Sequence, residues 1–358
     1  MQISFGGMMS FYSKFYSGNY KKYFVAPAIV FIVCLVLIFS IGIKKGIDLS
    51  GGTQITFHTQ EIKDAEEIKS FLKMQFNLEE ISVTISRGVV SNRIDIQYLQ
   101  EKSLLALKQK ISTIKELGSQ ATAIEQAKSL LLQYNYDLNQ INAKTYKDWM
   151  SALDLLYNNE KNNSVRLVID SLSSKFGLDN TKVEIKEISP SLSESFYRKA
   201  IWVGLIAILG IIIVVFLAFK EFIPSIAIIS CGILDILGGM AGMVILGIPL
   251  SLVTIPALLM LLGYSIDTDI LLTTKILNRI EGNPRERAED SMVTGISMTT
   301  TTLGALVVML VFSHLYNVSV IFDISVVLFF GLIVDLIGTW MMNAPILLWY
   351  VESKKKQE

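Results

Sequence analysis

The stretch Gly263-Tyr264-Ser265-Ile266-Asp267-Thr268-Asp269 puts two carboxylates deep inside an apolar run, about Leu252 to Thr274, that is long enough to cross a bilayer as a helix. Charge at that depth is costly even on lenient insertion scales, so an intramembrane acid signals function. Working outward, further apolar stretches of about 20 residues run roughly Phe24 to Ile43, Ala200 to Phe219, Ile223 to Leu246, Met292 to Phe312 and Val320 to Met342. A chain of 358 residues that is 51% hydrophobic is too apolar for an ordinary soluble protein. The expected fold is a polytopic α-helical membrane protein with six transmembrane helices and one sizeable domain between the first two.

Charge placement sets the expected orientation. Lys plus Arg and Asp plus Glu balance at 32 each, so nothing points to nucleic acid as a partner. Lys14, Lys21 and Lys22 precede the first span and Lys44-Lys45 follow it, which leaves that span undecided. Lys220, then Lys275, Arg279, Arg285 and Arg287, then Lys354 to Lys356 all fall on one side, whereas Gly247 to Leu250 and Ser313 to Ser319 carry no Lys or Arg. The positive side is cytoplasmic by the usual rule for short loops. That puts segment 1–23 and the tail 351–358 in the cytoplasm, the spans at 24–43 and within 200–350, and residues 44–199 outside a cell membrane crossed several times. The first apolar run is full length and lacks a small-residue cleavage site, so it reads as a signal anchor. Cys34 and Cys231 sit in apolar stretches as small hydrophobes, and His58 and His314 are too isolated for a metal or haem site.

The external segment has strand-like patterns at Ile55 to His58, Ile81 to Ile85, Arg93 to Tyr98 and Lys182 to Ile188, with helical spacing over Asp64 to Phe76. Pro190 ends the last strand, and Ser191 to Arg198 leads a helix into the second span. This order predicts an extracytoplasmic α+β (ferredoxin-like) domain carrying a helical insertion at about 101–176. Breaks near Asn135 and Asn158 to Asn163 divide that insertion into two to four helices, either solvated on the sheet or offering a docking surface. Gly51-Gly52 after Asp48 is no phosphate loop, because no Lys-Ser or Lys-Thr follows; a bulge or turn at the mouth of the first span fits better.

Acids recur at one level of the spans. Asp235 lies about 18 Å along the third span, Asp267 about 22 Å along the fourth and Asp335 about 22 Å along the sixth, at 1.5 Å per residue. Thr299, Thr300, Thr301 and Thr302 fall at similar depth in the fifth. Such a layer is what an ion relay needs, with Asp267 and Asp269 carrying the ion and Asp235, Asp335 and the threonines supporting it. Asp267 and Asp269 are about 200° apart around a helix and so need separate partners. No Lys or Arg lies within the second to sixth spans as drawn, so a buried acid there calls for a proton or a bound cation, H+ or Na+. The plainer alternatives are acids that only hydrogen-bond neighbouring helices and hydroxyls that bond back to their own helix. No other cofactor, no metal and no enzyme chemistry are expected.

Gly46-Ile47-Asp48-Leu49-Ser50-Gly51-Gly52-Thr53 resembles the Gly-Ile-Asp-Phe-x-Gly-Gly-Thr signature of the SecF family, and Gly263-Tyr264-Ser265-Ile266 resembles its fourth-span motif. Ile266-Asp267-Thr268-Asp269, with Thr339-Trp340 and Asn343-Ala344 near the end, looks most like the archaeal branch. The resemblance covers most of the chain apart from the first twenty residues or so and much of the insertion. It implies a half-transporter of the resistance-nodulation-division type that pairs with a SecD-like subunit. It further implies help for the Sec channel (the SecY complex) in exporting unfolded secretory proteins at the expense of an ion gradient, with the spans in membrane lipid. In bacterial members the motif continues Asn-Asp, which places their acid at Thr268 here, and an Arg stands where Met298 aligns. A small-molecule or lipid exporter of the same superfamily is the alternative; an intramembrane aspartyl protease lacks its Gly-x-Gly-Asp pattern here.

Overall fold

The computed structural model describes residues 15–354 except 17, 61–63, 77, 79–80, 87–91, 100–101, 119–120, 137–144, 182, 189, 279–281 and 317. Lys14, Arg279, Lys355, Lys356 and the expected limits at Glu101 and Lys182 therefore lie outside the described residues. The chain divides into two units, residues 51–190 and residues 1–50 together with 191–358, against expected limits of 44 and 199. In order the elements are α1 (Val25–Ile41), β1 (Gly52–Thr59), α2 (Ala65–Phe76), β2 (Ser82–Ser86), β3 (Asn92–Tyr98), α3 (Lys102–Glu116), α4 (Ala121–Gln133), α5 (Tyr146–Phe176), β4 (Val183–Ile188), α6 (Pro190–Phe219), α7 (Phe222–Leu246), α8 (Thr254–Asn278), α9 (Pro284–Tyr316), α10 (Ser319–Gly338) and α11 (Ala344–Lys354).

Unit 51–190 is a four-stranded antiparallel sheet in the order β2-β3-β1-β4. Ile55 and Phe57 alternate onto the same face as Ile94 and Ile96, and that face is covered by Ile68 and Leu72 of α2 and by Val168, Leu172 and Phe176 of α5. This is the split β-α-β arrangement of the ferredoxin-like fold, and it corrects two sequence expectations. The second covering helix is the C-terminal half of α5, so the sheet's own core extends back into the segment read as insertion. Asn158 to Asn163 do not break that helix either. Thr145 and Asp148 form a reciprocal capping box, Gly177 closes the other end with φ +65°, and the apolar register continues across the exposed asparagines. The N-terminal half of α5 joins α3 and α4 in a separate core around Leu107, Ile111, Leu131, Leu153 and Leu156.

The entry to this unit explains the glycine pair. Gly51 has φ +78° and Gly52 φ +122°, and a Cβ on Gly52 would collide with the Tyr98 carbonyl oxygen across the β1–β3 ladder. Only glycine serves where the chain turns left-handed against a paired strand.

In the other unit, among the described residues six helices are long and apolar enough to cross a membrane. Segment 20–41 and α6 are the barest, with Phe39, Trp202, Ile206 and Leu217 more than 60% exposed, which in water would be untenable and in lipid is ordinary. α7 is the most enclosed, and it reaches its neighbours through small residues. A Cβ on Gly238 would meet Val334 of α10 and one on Gly242 would meet Phe330, both within 2.7 Å. Leu261 of α8 fills the place of a Cβ on Gly331. Absent a hydrophobic drive in lipid, such close approach is how spans associate. The last span runs from Ser319 to Lys354 without a break, but one wide π-turn, Thr339–Asn343, interrupts its α register. At one end, Glu221 in the α6–α7 turn accepts hydrogen bonds from Tyr350 (2.5 Å) and Lys354 (3.1 Å), which hold its carboxyl below the usual range.

Candidate functional site

Asp235, Asp269 and Asp335 are fully buried, each about 20 to 24 Å along its own helix at 1.5 Å per residue. Ser265 donates to Asp235 Oδ2 at 2.5 Å. Ser265 and Asp269 are four residues apart on α8 and share one face. From the last span, Thr339 Oγ1 lies 2.9 Å from Asp269 Oδ1 and 3.1 Å from Asp335 Oδ1, and Asn343 Nδ2 donates to Asp269 Oδ1 at 2.8 Å. Gly338 packs against Cys231 and Asp235, which closes the ring of helices α7, α8 and α10.

The cluster has fewer donors than acceptors. A threonine hydroxyl has one proton. It can satisfy Asp269 or Asp335 but not both, so the second contact calls for a proton on a carboxyl. Beyond that, Asp235 Oδ1, Asp269 Oδ2, Asp335 Oδ2 and Asn343 Oδ1 are buried acceptors with no hydrogen-bond partner among the described residues. Unsatisfied buried acceptors are rare and costly, and here four belong to one cluster of side chains. The arrangement is chemically suited to take up and release a small cation. Among the described residues no group of His, Cys, Asp and Glu has the closeness of a metal site.

The sequence-predicted residues separate. Asp269, Asp235 and Asp335 come together, whereas Asp267 lies on the exposed face of α8, with Tyr264 and Gly263. The expected Asp267–Asp269 carrier pair is thus one buried acid and one outward-facing acid. Of the threonine run, Thr299 alone is buried; Thr300 is exposed, and Thr301 and Thr302 bond back to the carbonyls of Ser297 (2.8 Å) and Met298 (3.2 Å). Among the described residues none of the four hydrogen-bonds an acid. Thr339 and Asn343, which enter the sequence analysis through the family resemblance, hold Asp269. Their signal was legible: Asp335, Thr339 and Asn343 recur every four residues in the apolar stretch that follows Ser325.

The first signature is built into the backbone. Gly46 N–H donates to the Leu250 carbonyl at 2.8 Å, and a Cβ there would press within 3.2 Å of that oxygen. Asp48 is buried, and Thr53 pairs with Tyr98 and Glu187 in the sheet.

Residues 168–353 match the profile of the protein export membrane protein SecD/SecF C-terminal family, and residues 36–61 match the SecD/SecF GG motif. The chain belongs to the SecD/SecF family of protein-export membrane proteins. Relatives bear this out along its length. A protein-export membrane protein SecF of Methanocaldococcus jannaschii is 36% identical over 55% of this chain and 72% of its own. One of Methanothermobacter thermautotrophicus is 27% identical over 94% of both chains, and one of Methanolacinia petrolearia is 46% identical over 48% of this chain and 61% of its own. The crystal structure of SecDF, a translocon-associated membrane protein from Thermus thermophilus, shares the fold with a TM-score of 0.62 at 16% identity. The match covers 94% of this chain, which spans 39% of that one. In family terms the GG motif is the left-handed turn at Gly51-Gly52, and the C-terminal region contains all three buried acids.

Thr339→Val keeps shape but removes the one donor that two carboxylates share. Thermal unfolding in detergent at neutral pH should show a loss of ~1–3 kcal/mol, the cost of stranding a buried acceptor, and an unchanged transition would show that Thr339 is not holding the acids.

Proposed function

We propose that this chain is the SecF-type half of an accessory complex of the Sec protein translocase. Paired with a SecD-like subunit, it promotes movement of unfolded secretory proteins through the SecY channel and draws on an ion gradient. Asp269 is the central carrier, answered by Asp235 and Asp335, and the coupling ion is H+ or Na+. What supports this reading is a cluster of three buried carboxylates that, among the described residues, has unpaired oxygens and no cationic side chain in its hydrogen-bonding shell. A purely structural cluster would close its hydrogen bonds, and this one leaves acceptors that an exchangeable ion could satisfy. Met298, where bacterial members carry Arg, lies on the exposed face of α9, so an acid-to-arginine relay has no counterpart at that position.

Asp267 supports the need for a partner. An acid exposed on a membrane-spanning helix is untenable against lipid and calls for a second subunit over that face. The positive loops support an orientation with both termini in the cytoplasm and the α+β domain outside.

Two measurements separate these statements. Asp269→Asn should abolish the gradient-dependent part of export while the SecD-like partner still copurifies; Asp267→Asn should instead lower recovery of the partner. Export by Asp269→Asn that responds fully to the gradient would remove the acids from the mechanism. For orientation, a membrane-impermeant thiol reagent should label Asn162→Cys in intact cells and Asn283→Cys only after lysis, and the reverse pattern would invert the topology.

A further inference from the structure

The aromatic segment ahead of the first span meets the ion site from below. Tyr16 is fully buried, Tyr20 nearly so, and both pack with Leu272, Ile276, Met292 and Trp340. Phe15 stacks on Tyr23 at 4.6 Å, and the Tyr16 ring stands edge-on to both. The backbone of Tyr16 is pinned from α9: its N–H donates to Glu289 (3.2 Å) and its carbonyl accepts from Arg285 (3.2 Å). So tethered, the phenol donates to the carbonyl oxygen of Trp340 at 2.7 Å.

That carbonyl is special because of residue 345. In the π-turn, Ala344 N–H donates to the Thr339 carbonyl, five residues back. The partner of Trp340 in the same pattern would be residue 345, which is proline and has no N–H. Proline there also clashes with the carbonyl four residues earlier, which explains why the helix widens at this point. Sequence thus creates an orphan carbonyl inside the membrane domain, and a hydroxyl delivered from the other end of the chain occupies it.

We propose that Tyr16 is a positioning residue for the ion site: by holding the Trp340 carbonyl it fixes the π-turn whose Thr339 and Asn343 hold Asp269. This rests on the reading of Asp269 as the carrier. Burial, with Tyr23 and Glu289 facing the ring, holds the phenol above its ordinary range, so Tyr16 stays a donor at all physiological pH. The titratable groups that face Asp269 are Asp235 and Cys231 on α7 and Asp335 on α10.

The test uses the full-length protein with its copurified partner and follows carbodiimide labelling of Asp269 by mass spectrometry across pH, together with gradient-driven export. Tyr16→Phe keeps the ring and removes the donor. It should speed labelling roughly fivefold, about what one lost hydrogen bond corresponds to, move the pH at which labelling fades, and lower gradient-driven export while leaving protein levels unchanged. Pro345→Ala supplies a backbone N–H near the orphan carbonyl, so in that background Tyr16→Phe should have little further effect. A Tyr16→Phe labelling profile that superimposes on the parent, or effects of the two substitutions that simply add, would overturn the positioning role. Asp269→Asn run beside them isolates the other failure: full gradient response in that variant overturns the carrier reading and the positioning role with it.

Discussion

Three carboxyl groups enclosed by apolar helices, with no cationic side chain hydrogen-bonded to them among the described residues, are the constraint on which the membrane unit depends. Burying such groups is unfavourable unless something compensates, and the compensation here is partial by construction. Ser265, Thr339 and Asn343 supply donors to one oxygen of each acid, and among the described residues the other oxygens have no hydrogen-bond partner. For donors to reach at all, α7, α8 and α10 must approach closely, which is why Gly238, Gly242 and Gly331 face side chains that leave no space for a Cβ. The π-turn is part of the same solution. It rotates Thr339 and Asn343 toward Asp269 in a helix that Pro345 prevents from closing its regular ladder.

Much of the architecture was legible because its physics is local. Spans declare themselves by length and apolarity, and the four strands by alternation around Gly and Pro punctuation. Gly51-Gly52 could be read as a turn because no phosphate-loop chemistry follows, and the backbone angles supply the reason glycine is needed. The α5 helix was less legible. Its asparagines look like a break, but caps at both ends and an uninterrupted apolar register outweigh the weak helix propensity of Asn. A helix that serves two cores in succession has no signature in its own periodicity.

The site was readable as a layer but not as a set of contacts. Depth along each span could be counted from the sequence, and Asp235, Asp269 and Asp335 share a level. Facing could not be counted, because it depends on how each span is rotated against its neighbours. Hence Asp267 and Asp269, two residues apart in one motif, divide between the outside and the centre of the unit, and Thr300 and Thr301 turn away. The role of Tyr16 lay wholly beyond sequence reading, since it joins residues 324 apart through a carbonyl that is orphaned only in the folded helix.

The central claim is that Asp269 and its two neighbours hold an exchangeable proton or cation. Infrared difference spectroscopy on the assembled complex in membranes tests it directly, because a protonated carboxylic acid in an apolar setting has a carbonyl stretch resolved from that of the ionised group. The account predicts a carboxylic-acid band that changes when pH or sodium is stepped and that is lost in Asp269→Asn. A band insensitive to both ions, or one unaltered by that substitution, would contradict it.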